Sequence, residues 1–376
     1  METANMAYRI CSRCLMDTSD PDIFFDEAGV CNHCYDYQQR IKDKKYLSKK
    51  EPGAIDRLVQ QIKGEGKRKK YDCIVGVSGG VDSTYTMYKV KQLGLRPLAV
   101  HLDNGWDSEL AVDNVKKFLK QLDIDLHTLV LDWEEFKALQ LAFLKASTPD
   151  SEIPSDHAIV ASLYRAADEY GIRFILSGHN TATEGGGVAA WSQGHYDWGY
   201  IKGIYKLFTG KNLKKFPHIG VRNFIKWAVF QRIKFIPILD YFEYDKKVAI
   251  ATIEKKLGWR NYGSKHYESI YTRFYQGYIL VKKFGYDKKR LHLSALIWSG
   301  QLAREEAEKQ MGEIDYPLAQ LNQDREFVIK KLGISSEEFK LIMNLPKKTF
   351  WDYLSYKKIF GRWKWFMNIY HHLKRS

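Results

Sequence analysis

Cysteine is scarce in this chain, with five in 376 residues. Four of the five fall into two close pairs, and the remaining one, Cys73, sits in an apolar run where a small buried residue is expected. That count leaves no thiol for a cysteine nucleophile. A long uninterrupted apolar run is also missing. The most apolar late stretch, 221–242, is broken by Arg222, Lys226, Arg232 and Lys234 and is too charged to span a bilayer. The first residues, Met1 to Asn5, have neither a basic n-region nor an apolar h-region. No signal peptide is therefore expected, and a cytoplasmic location is. Acidic residues are outnumbered, 45 Asp and Glu against 59 Lys and Arg, for a formal charge of +14. Such an excess points to solvated lysines or to an anionic partner: nucleic acid, ATP or a nucleotide-sugar, an acidic membrane, or an acidic protein. No internal repeat is present.

The most informative segment is Ser78-Gly79-Gly80-Val81-Asp82-Ser83-Thr84. An apolar run from Cys73 to Val77 precedes it and reads as a buried strand. A helical pattern from Tyr85 to Leu93, closed by Gly94, follows. Strand, Gly-Gly turn and helix start make a phosphate cradle, because glycine lets the backbone approach an anion and first-turn N–H groups point at it. Ser78, Ser83 and Thr84 add hydroxyls. No lysine follows the glycines, so this is not the G-x-x-x-x-G-K-[ST] loop. The S-G-G-x-D-S signature resembles the pyrophosphate loop of the ATP-pyrophosphatase superfamily, whose members cleave ATP between the α and β phosphates.

Cys11-x-x-Cys14 and Cys31-x-x-Cys34 are separated by sixteen residues, the spacing of a four-thiolate structural zinc site. Gly29 and Pro21 suit the turns. Two disulfides and an iron–sulfur cluster are the competing readings. His33, inside the second pair, is expected at the surface rather than as a ligand.

Strands alternate with helices after the loop: strands at 96–102, 125–131 and 173–176, helices at 108–122, 133–146 and 156–170. The fold expected is a doubly wound parallel α/β sheet with helices on both faces, an N-terminal zinc-knuckle module over 1–50, a linker over 51–70, the sheet domain over 71–260 and a mostly helical region over 261–376. Ligands of such sheets sit beyond the carboxyl ends of the strands. Three features lie there: the 78–84 loop, Asp103 with the turn that follows, and Gly178-His179 with the segment to Glu184. Asp103 is expected to meet ribose or adenine. Asp82 and Glu184 are candidate Mg2+ ligands, since hard oxygens suit that ion; a dipole-stabilising carboxylate and a surface loop residue are the alternatives. Gly185-Gly186-Gly187 and Trp191 to Tyr205 are expected to form a loop over the site. The basic, aromatic stretch 202–234 reads as a lid, a lipid-facing helix, a partner surface or a solvated helix. Pro237 to Asp240 looks like a fifth strand end, with its helix at 246–257. Ser335-Ser336-Glu337-Glu338 fits a helix start. The polar block Lys265, His266, Glu268 and Arg273, followed by Asp287-Lys288-Lys289-Arg290 and His292, is costly to bury without a ligand and reads as an acceptor pocket. Lys265 and Arg273 would meet carboxylate or phosphate, and His266 would move protons. The basic aromatic C-terminus, 360–376, reads as core aromatics with snorkelling cations or as peripheral membrane contact.

Together these residues resemble the N-acetyl sugar amidotransferase family of bacterial surface-polysaccharide and nonulosonic-acid biosynthesis. The resemblance rests on the Cys pairs, S-G-G-V-D-S-T, Pro154-Ser155-Asp156-His157, Ser177-Gly178-His179-Asn180, Trp198-Gly199-Tyr200, Gly258-Trp259, the block from Tyr262 to Ser269, Arg273 to Gly277, and Asp287 to Arg290. It covers most of 8–310 and draws little from 203–235 or the last sixty residues. It implies a fold like the adenine nucleotide alpha hydrolases. It also implies ATP-dependent conversion of an acetamido group on a UDP- or CMP-linked sugar to an acetamidino group, through an adenylated amide attacked by ammonia. ATP, Mg2+ and structural zinc are the implied cofactors. Separate glutaminase and ammonia-channelling subunits resembling the histidine-pathway pair are the implied partners, and nucleic acid is not expected. A tRNA-thiolating enzyme with a zinc knuckle and a non-enzymatic nucleotide-binding scaffold are the rival readings.

Overall fold

The computed structural model describes residues 7–263, 265–314 and 316–360. Residues 1–6, Ser264, Asp315 and the basic aromatic C-terminus from 361 onward lie outside the described residues.

Five parallel strands, β1 (Cys73–Gly76), β2 (Pro97–Asp103), β3 (Leu126–Val130), β4 (Phe174–Ser177) and β5 (Lys234–Pro237), are ordered 3-2-1-4-5. Cys73 sits opposite Pro97, and Val75 opposite Ala99 and Leu176. The order reverses between β1 and β4, so the carboxyl ends of these two neighbours open the crevice where doubly wound sheets bind ligands. Cys73, Ile74 and Val75 are buried, as a central strand covered on both faces requires. The expected doubly wound α/β class is the observed one.

Helices α1 (Asn32–Lys42) and α2 (Lys44–Lys50) belong to the N-terminal module, and α3 (Ala54–Gly66) follows. A linker was the expectation for 51–70; instead Leu58, Val59 and Ile62 of α3 pack under the sheet. Of the two glycines at 64 and 66 that suggest a linker, Gly66 has a local cause, while Gly64 stands clear of other atoms. A side chain at Gly66 would strike Asp72, which Arg96 grips at 2.6 Å. Helices α4 (Val81–Gln92) and α5 (Glu109–Leu122) share that core. Ser108 caps α5 by accepting from the Ala111 N–H, 3.2 Å away. Helix α6 (Trp133–Ala146) follows β3, and α7 (Ile153–Glu169) covers the opposite face of the sheet through Leu163, Ala166 and Ala167.

Beyond β4 come α8 (Thr181–Glu184), α9 (Trp198–Thr209), α10 (Val221–Ile225, continued as a π-turn to Phe230) and α11 (Lys246–Leu257). The last part is helical: α12 (Ile270–Phe274, continued as a π-helix to Phe284), α13 (Lys288–Trp298), α14 (Arg304–Gly312), α15 (Leu318–Leu332), α16 (Ser336–Asn344) and α17 (Tyr356–Phe360). Ser335 caps α16, as its sequence suggests. One apolar core takes residues from α6 and α9 together with Tyr271, Phe274, Val328, Phe339 and Phe350. The helical region therefore packs onto the sheet's own helices. No helix among the described residues is long and apolar enough to cross a membrane.

Gly185, Gly186 and Gly187 do not form a loop over the strand ends. They lie against His33 and Asp36 of the N-terminal module, and Trp191 is buried in the core beneath the four cysteines, stacked on Tyr286 at 5.3 Å.

Candidate active site and metal centre

The four cysteine sulfurs form a closed cluster: Cys11 and Cys34 lie 3.8 Å apart, Cys14 and Cys31 3.6 Å, Cys31 and Cys34 3.8 Å. A tetrahedron with metal–sulfur bonds near 2.3 Å has edges of about 3.8 Å, so this donor set fits zinc. The sulfurs are too far apart to be disulfides. Backbone N–H groups of Arg13 and Cys31 donate to Cys11 Sγ at 3.3 and 3.2 Å, and Trp298 Nε1 donates to Cys34 Sγ at 3.3 Å. His33 is buried, not at the surface, and bonds Asp20 at 2.7 Å. Arg290 pairs with Asp17 at 3.0 Å, and Arg304 Nη1 donates to the Cys14 carbonyl at 2.7 Å. The module thus clamps α13 and α14, and Arg290 serves this contact rather than an acceptor pocket.

A cavity of about 560 Å³ opens at the carboxyl ends of β1, β2 and β4. Its floor is the loop at Ser78, Gly80, Val81, Asp82 and Ser83. Gly79 has φ +83°, and a Cβ there would lie 2.7 Å from the Ala111 carbonyl oxygen, so only glycine fits. At Gly178 a Cβ would meet the Asp82 carbonyl at 2.9 Å, because the end of β4 crosses the start of α4. Helix α4 has no side-chain cap, unlike α5 and α6, which leaves its first-turn N–H groups to a ligand. Ser78 and Ser83 hydroxyls lie 3.3 Å from each other. Thr84 faces inward and is fully buried, so its hydroxyl is not the expected phosphate donor.

Lys265 reaches this floor from the loop before α12. Its ammonium lies 2.7 Å from Glu184 and 4.0 Å from Asp82, and His179 also contacts Glu184. Burial raises the Asp82 pKa against the pull of Lys265. Burial also works against Glu184 ionisation, but Lys265 and His179 outweigh it and hold that carboxyl well below its usual range. Burial opposes a charged Lys265, yet Glu184 and Asp82 raise its pKa. Two carboxylates beside a phosphate loop are a ligand set that Mg2+ takes with phosphate oxygens, so the residues fit that ion. Glu268 and Tyr262 face Gly80, both 3.1 Å from where its Cβ would stand. Glu268 Oε2 is buried and has no hydrogen-bond partner among the described residues. His266 adopts φ +67°, unusual for a side-chain-bearing residue, and lies 3.8 Å from Glu268. Both line the cavity.

Two expected site residues are placed elsewhere. Asp103 accepts from the Gly105 N–H at 2.9 Å and closes its own turn; Leu102 and Asn104 line the cavity instead. Arg273 makes a forked pair with buried Asp324 at 2.6 and 2.9 Å and is not in the cavity wall. Tyr316 and Gln320 also donate to Asp324, so the arginine serves the helical core.

The cavity has residues that motif reading missed. Tyr244 donates to Asp82. Lys246 lines the wall, its pKa lowered by burial and by Lys265. A lysine in the first turn of α11 opposes the helix dipole, and that is the one sequence signal it carried. His101 Nδ1 donates to the Val77 carbonyl at 2.8 Å, and its Nε2 lies 3.0 Å from Asp107; burial disfavours the charged ring, but Asp107 outweighs it and raises its pKa. The far end holds Glu152, which accepts from Gln276 at 2.8 Å and pairs with Lys288 at 3.2 Å. Val100, Leu102, Ile159 and Leu163 supply an apolar wall between the ends.

Residues 268–370 match the family described as LPS biosynthesis protein WbpG-like, C-terminal domain. The matched segment takes in Glu268, Gln276 and Lys288 of the cavity and runs on to residue 370, through most of the C-terminal stretch from which the motif resemblance drew little. Among curated relatives, the chain is 24% identical over 171 residues to the uncharacterized protein MJ1599 of Methanocaldococcus jannaschii, covering 45% of this chain and 58% of that one. It is 25% identical over 118 residues to tRNA-specific 2-thiouridylase MnmA 2 of Fusobacterium nucleatum, covering 30% and 34%. With tRNA-specific 2-thiouridylase MnmA of Mesomycoplasma hyopneumoniae it shares 30% identity over 156 residues, covering 35% and 42%. The chain therefore spans 58% of the first relative's length and less of the other two. Two solved structures superpose with a TM-score of 0.29 each. One is a predicted subunit of tRNA methyltransferase from M. jannaschii, at 16% identity, covering 48% of this chain and 75% of that one. The other is NMN synthetase from Francisella tularensis, at 12% identity, covering 78% and 98%. Scores this low leave the fold assignment to the sheet order itself.

Proposed function

We propose that the protein is an ATP-dependent amidotransferase that turns the acetamido group of a UDP- or CMP-linked sugar into an acetamidino group in lipopolysaccharide O-antigen or nonulosonic-acid synthesis. One observation carries the reading. An uncapped pyrophosphate-type loop, a Lys265–Glu184–Asp82 cluster and the WbpG-like residues Glu268, Gln276 and Lys288 share a single cavity.

The adenine base of ATP would lie on the apolar wall formed by Val100, Leu102, Ile159 and Leu163. The β and γ phosphates would lie on the 78–83 loop, with Lys246 and Lys265 balancing charge. Asp82 and Glu184 would hold Mg2+, whose positive charge would offset the negative charge developing on the pyrophosphate. The amide oxygen of the acceptor attacks the α phosphorus and pyrophosphate leaves. Ammonia adds to the activated carbon and gives up a proton, with Glu268 and His266 placed beside the loop to take it. AMP departs with the former amide oxygen, leaving the amidine. Separate glutaminase and ammonia-channelling subunits would supply the ammonia.

The matched 2-thiouridylases motivate a second reading, sulfur transfer to tRNA. None of the five cysteines lines the cavity, and Cys73 is fully buried with its thiol pKa pushed up by burial, which speaks against thiol chemistry there. A scaffold that binds ATP without turnover is the third. Pyrophosphate release with ammonium chloride and UDP-linked acetamido sugars separates the three. Release that needs both ammonium and sugar supports the amidotransferase, tRNA-dependent release supports thiolation, and binding without release supports the scaffold.

A further inference from the structure

Residues 198–239 contain no aspartate or glutamate, yet they carry nine lysines and arginines between Lys202 and Lys234. Helix α10 and its π-turn lie inside this acid-free stretch, and their orientation is set chiefly by Trp227. Trp227 is buried, stacks on Tyr164 of α7 at 5.4 Å and donates to Asp168 at 3.1 Å. With Trp227 facing in, Val221, Ile225 and Val229 fall four residues apart on the outside. Val221 is 57% exposed and Phe230 78%. An amphipathic helix ordinarily turns its apolar stripe toward the core. Here the stripe faces out while Trp227, with Lys226 and Gln231 on the same Asp168, holds the helix down.

Arg222 and Arg232 flank the stripe, and neither forms an ion pair among the described residues, whereas Lys226 is neutralised by Asp168 at 2.6 Å. Phe235, in the cavity wall, stacks on the same Tyr164 at 6.5 Å, so the stripe lies beside the cavity mouth.

We propose that the Val221–Phe230 helix lies flat on an anionic lipid surface, with Val221, Ile225, Val229 and Phe230 among the upper acyl chains and Arg222 and Arg232 on lipid phosphates. A helix of ten residues reaches about 15 Å, too short to cross a bilayer and suited to lying in its interface. A protein partner is the less fitting occupant. The cores of protein interfaces are depleted of charge and carry local complementary pairs, whereas this segment is of one sign from α9 to β5. An extended negative plane answers that pattern. Docking there would set the cavity mouth close to the membrane.

The test is sedimentation of the full-length protein with vesicles of phosphatidylcholine alone and of phosphatidylcholine with phosphatidylglycerol. Binding is expected only to the anionic vesicles. A chain of charge +14 adsorbs to them through charge alone, so the deciding variant is Ile225→Ser with Phe230→Ser, which keeps every charge. Its vesicle affinity is expected to fall at least about tenfold, with an unchanged thermal midpoint because both side chains point outward. Val221→Ser is a second, milder variant that checks folding. Equal sedimentation of the serine variants, or no sedimentation of the native protein with anionic vesicles, would overturn the proposal. The latter result would leave the face to a protein partner.

Discussion

The Lys265 ammonium sits 2.7 Å from the Glu184 carboxylate and 4.0 Å from that of Asp82, tying the loop before α12 to the segment after β4 and the start of α4. A buried lysine between two carboxylates has few structural reasons to exist in a region that could be packed with apolar residues. Its replacement by methionine keeps most of the volume and removes the charge. Lys265→Met should lower kcat for pyrophosphate release on the order of a hundredfold, measured by a coupled pyrophosphate assay. A loss smaller than threefold would mean that Lys265 does not stabilise the departing pyrophosphate.

Glycine at 79 and 178 is a steric requirement. Gly79→Ala places a methyl 2.7 Å from the Ala111 carbonyl at φ +83°, and Gly178→Ala places one 2.9 Å from the Asp82 carbonyl. Each should destabilise the protein by roughly 1–3 kcal/mol and weaken ATP binding, read by thermal denaturation with and without nucleotide. Gly187→Ala, where a Cβ meets nothing within 4 Å, is the matched control and should be silent.

The strand, Gly-Gly turn and helix of the loop were legible because each signal is local. The two Cys pairs were legible for the same reason, since ligand spacing is written along the chain. What sequence could not reveal were partners distant in the chain. Arg273 reads as a substrate arginine until Asp324, fifty-one residues on, is seen to hold it. Asp103 reads as a ribose ligand until its own turn is seen to use it. Tyr244 and Lys246 enter the site only because β5 lies next to β4. The glycines at 185–187 read as a loop over the site, but Gly185 and Gly186 serve as close seats for Tyr37 and Trp298 beside the cysteine cluster, and Gly187 stands clear.

Arg273 gives a prediction that separates structure from catalysis. Removing it leaves Asp324 buried without its fork, at a cost of roughly 3–5 kcal/mol. Arg273→Ala should therefore lower the thermal midpoint and the yield of folded protein. The folded fraction should keep the KM for ATP and for the acceptor sugar. A raised acceptor KM with normal stability would return Arg273 to the substrate.

The cysteine cluster predicts one zinc per chain by elemental analysis. Cys14→Ser should lose it, and Cys73→Ala should not. Because Trp298 and Arg304 bond this module, metal removal by a strong chelator should lower the unfolding temperature of the whole chain rather than release the module alone.

His195 gives a pH prediction. Its ring lies 3.3 Å from both Asp150 and Asp156. Burial disfavours the charged ring, but these two carboxylates outweigh it and raise its pKa to about 10. A raised pKa means the folded state holds the proton more tightly than the unfolded state. The stabilisation is fully present below the ordinary histidine pKa near 6.5 and fades as pH rises toward 10. His195→Gln should cost on the order of 1–3 kcal/mol at pH 6 and very little at pH 10, followed by urea denaturation at both.

Mass spectrometry of UDP-linked acetamido sugars incubated with the protein, MgATP and 15N-ammonium chloride tests the central claim most directly. The account predicts a product in which one amide oxygen has become a 15N-bearing imino group, with one AMP and one pyrophosphate formed per sugar changed. Unlabelled sugar beside ATP turnover that proceeds without ammonium, or ATP-dependent sulfur incorporation into tRNA, would contradict it.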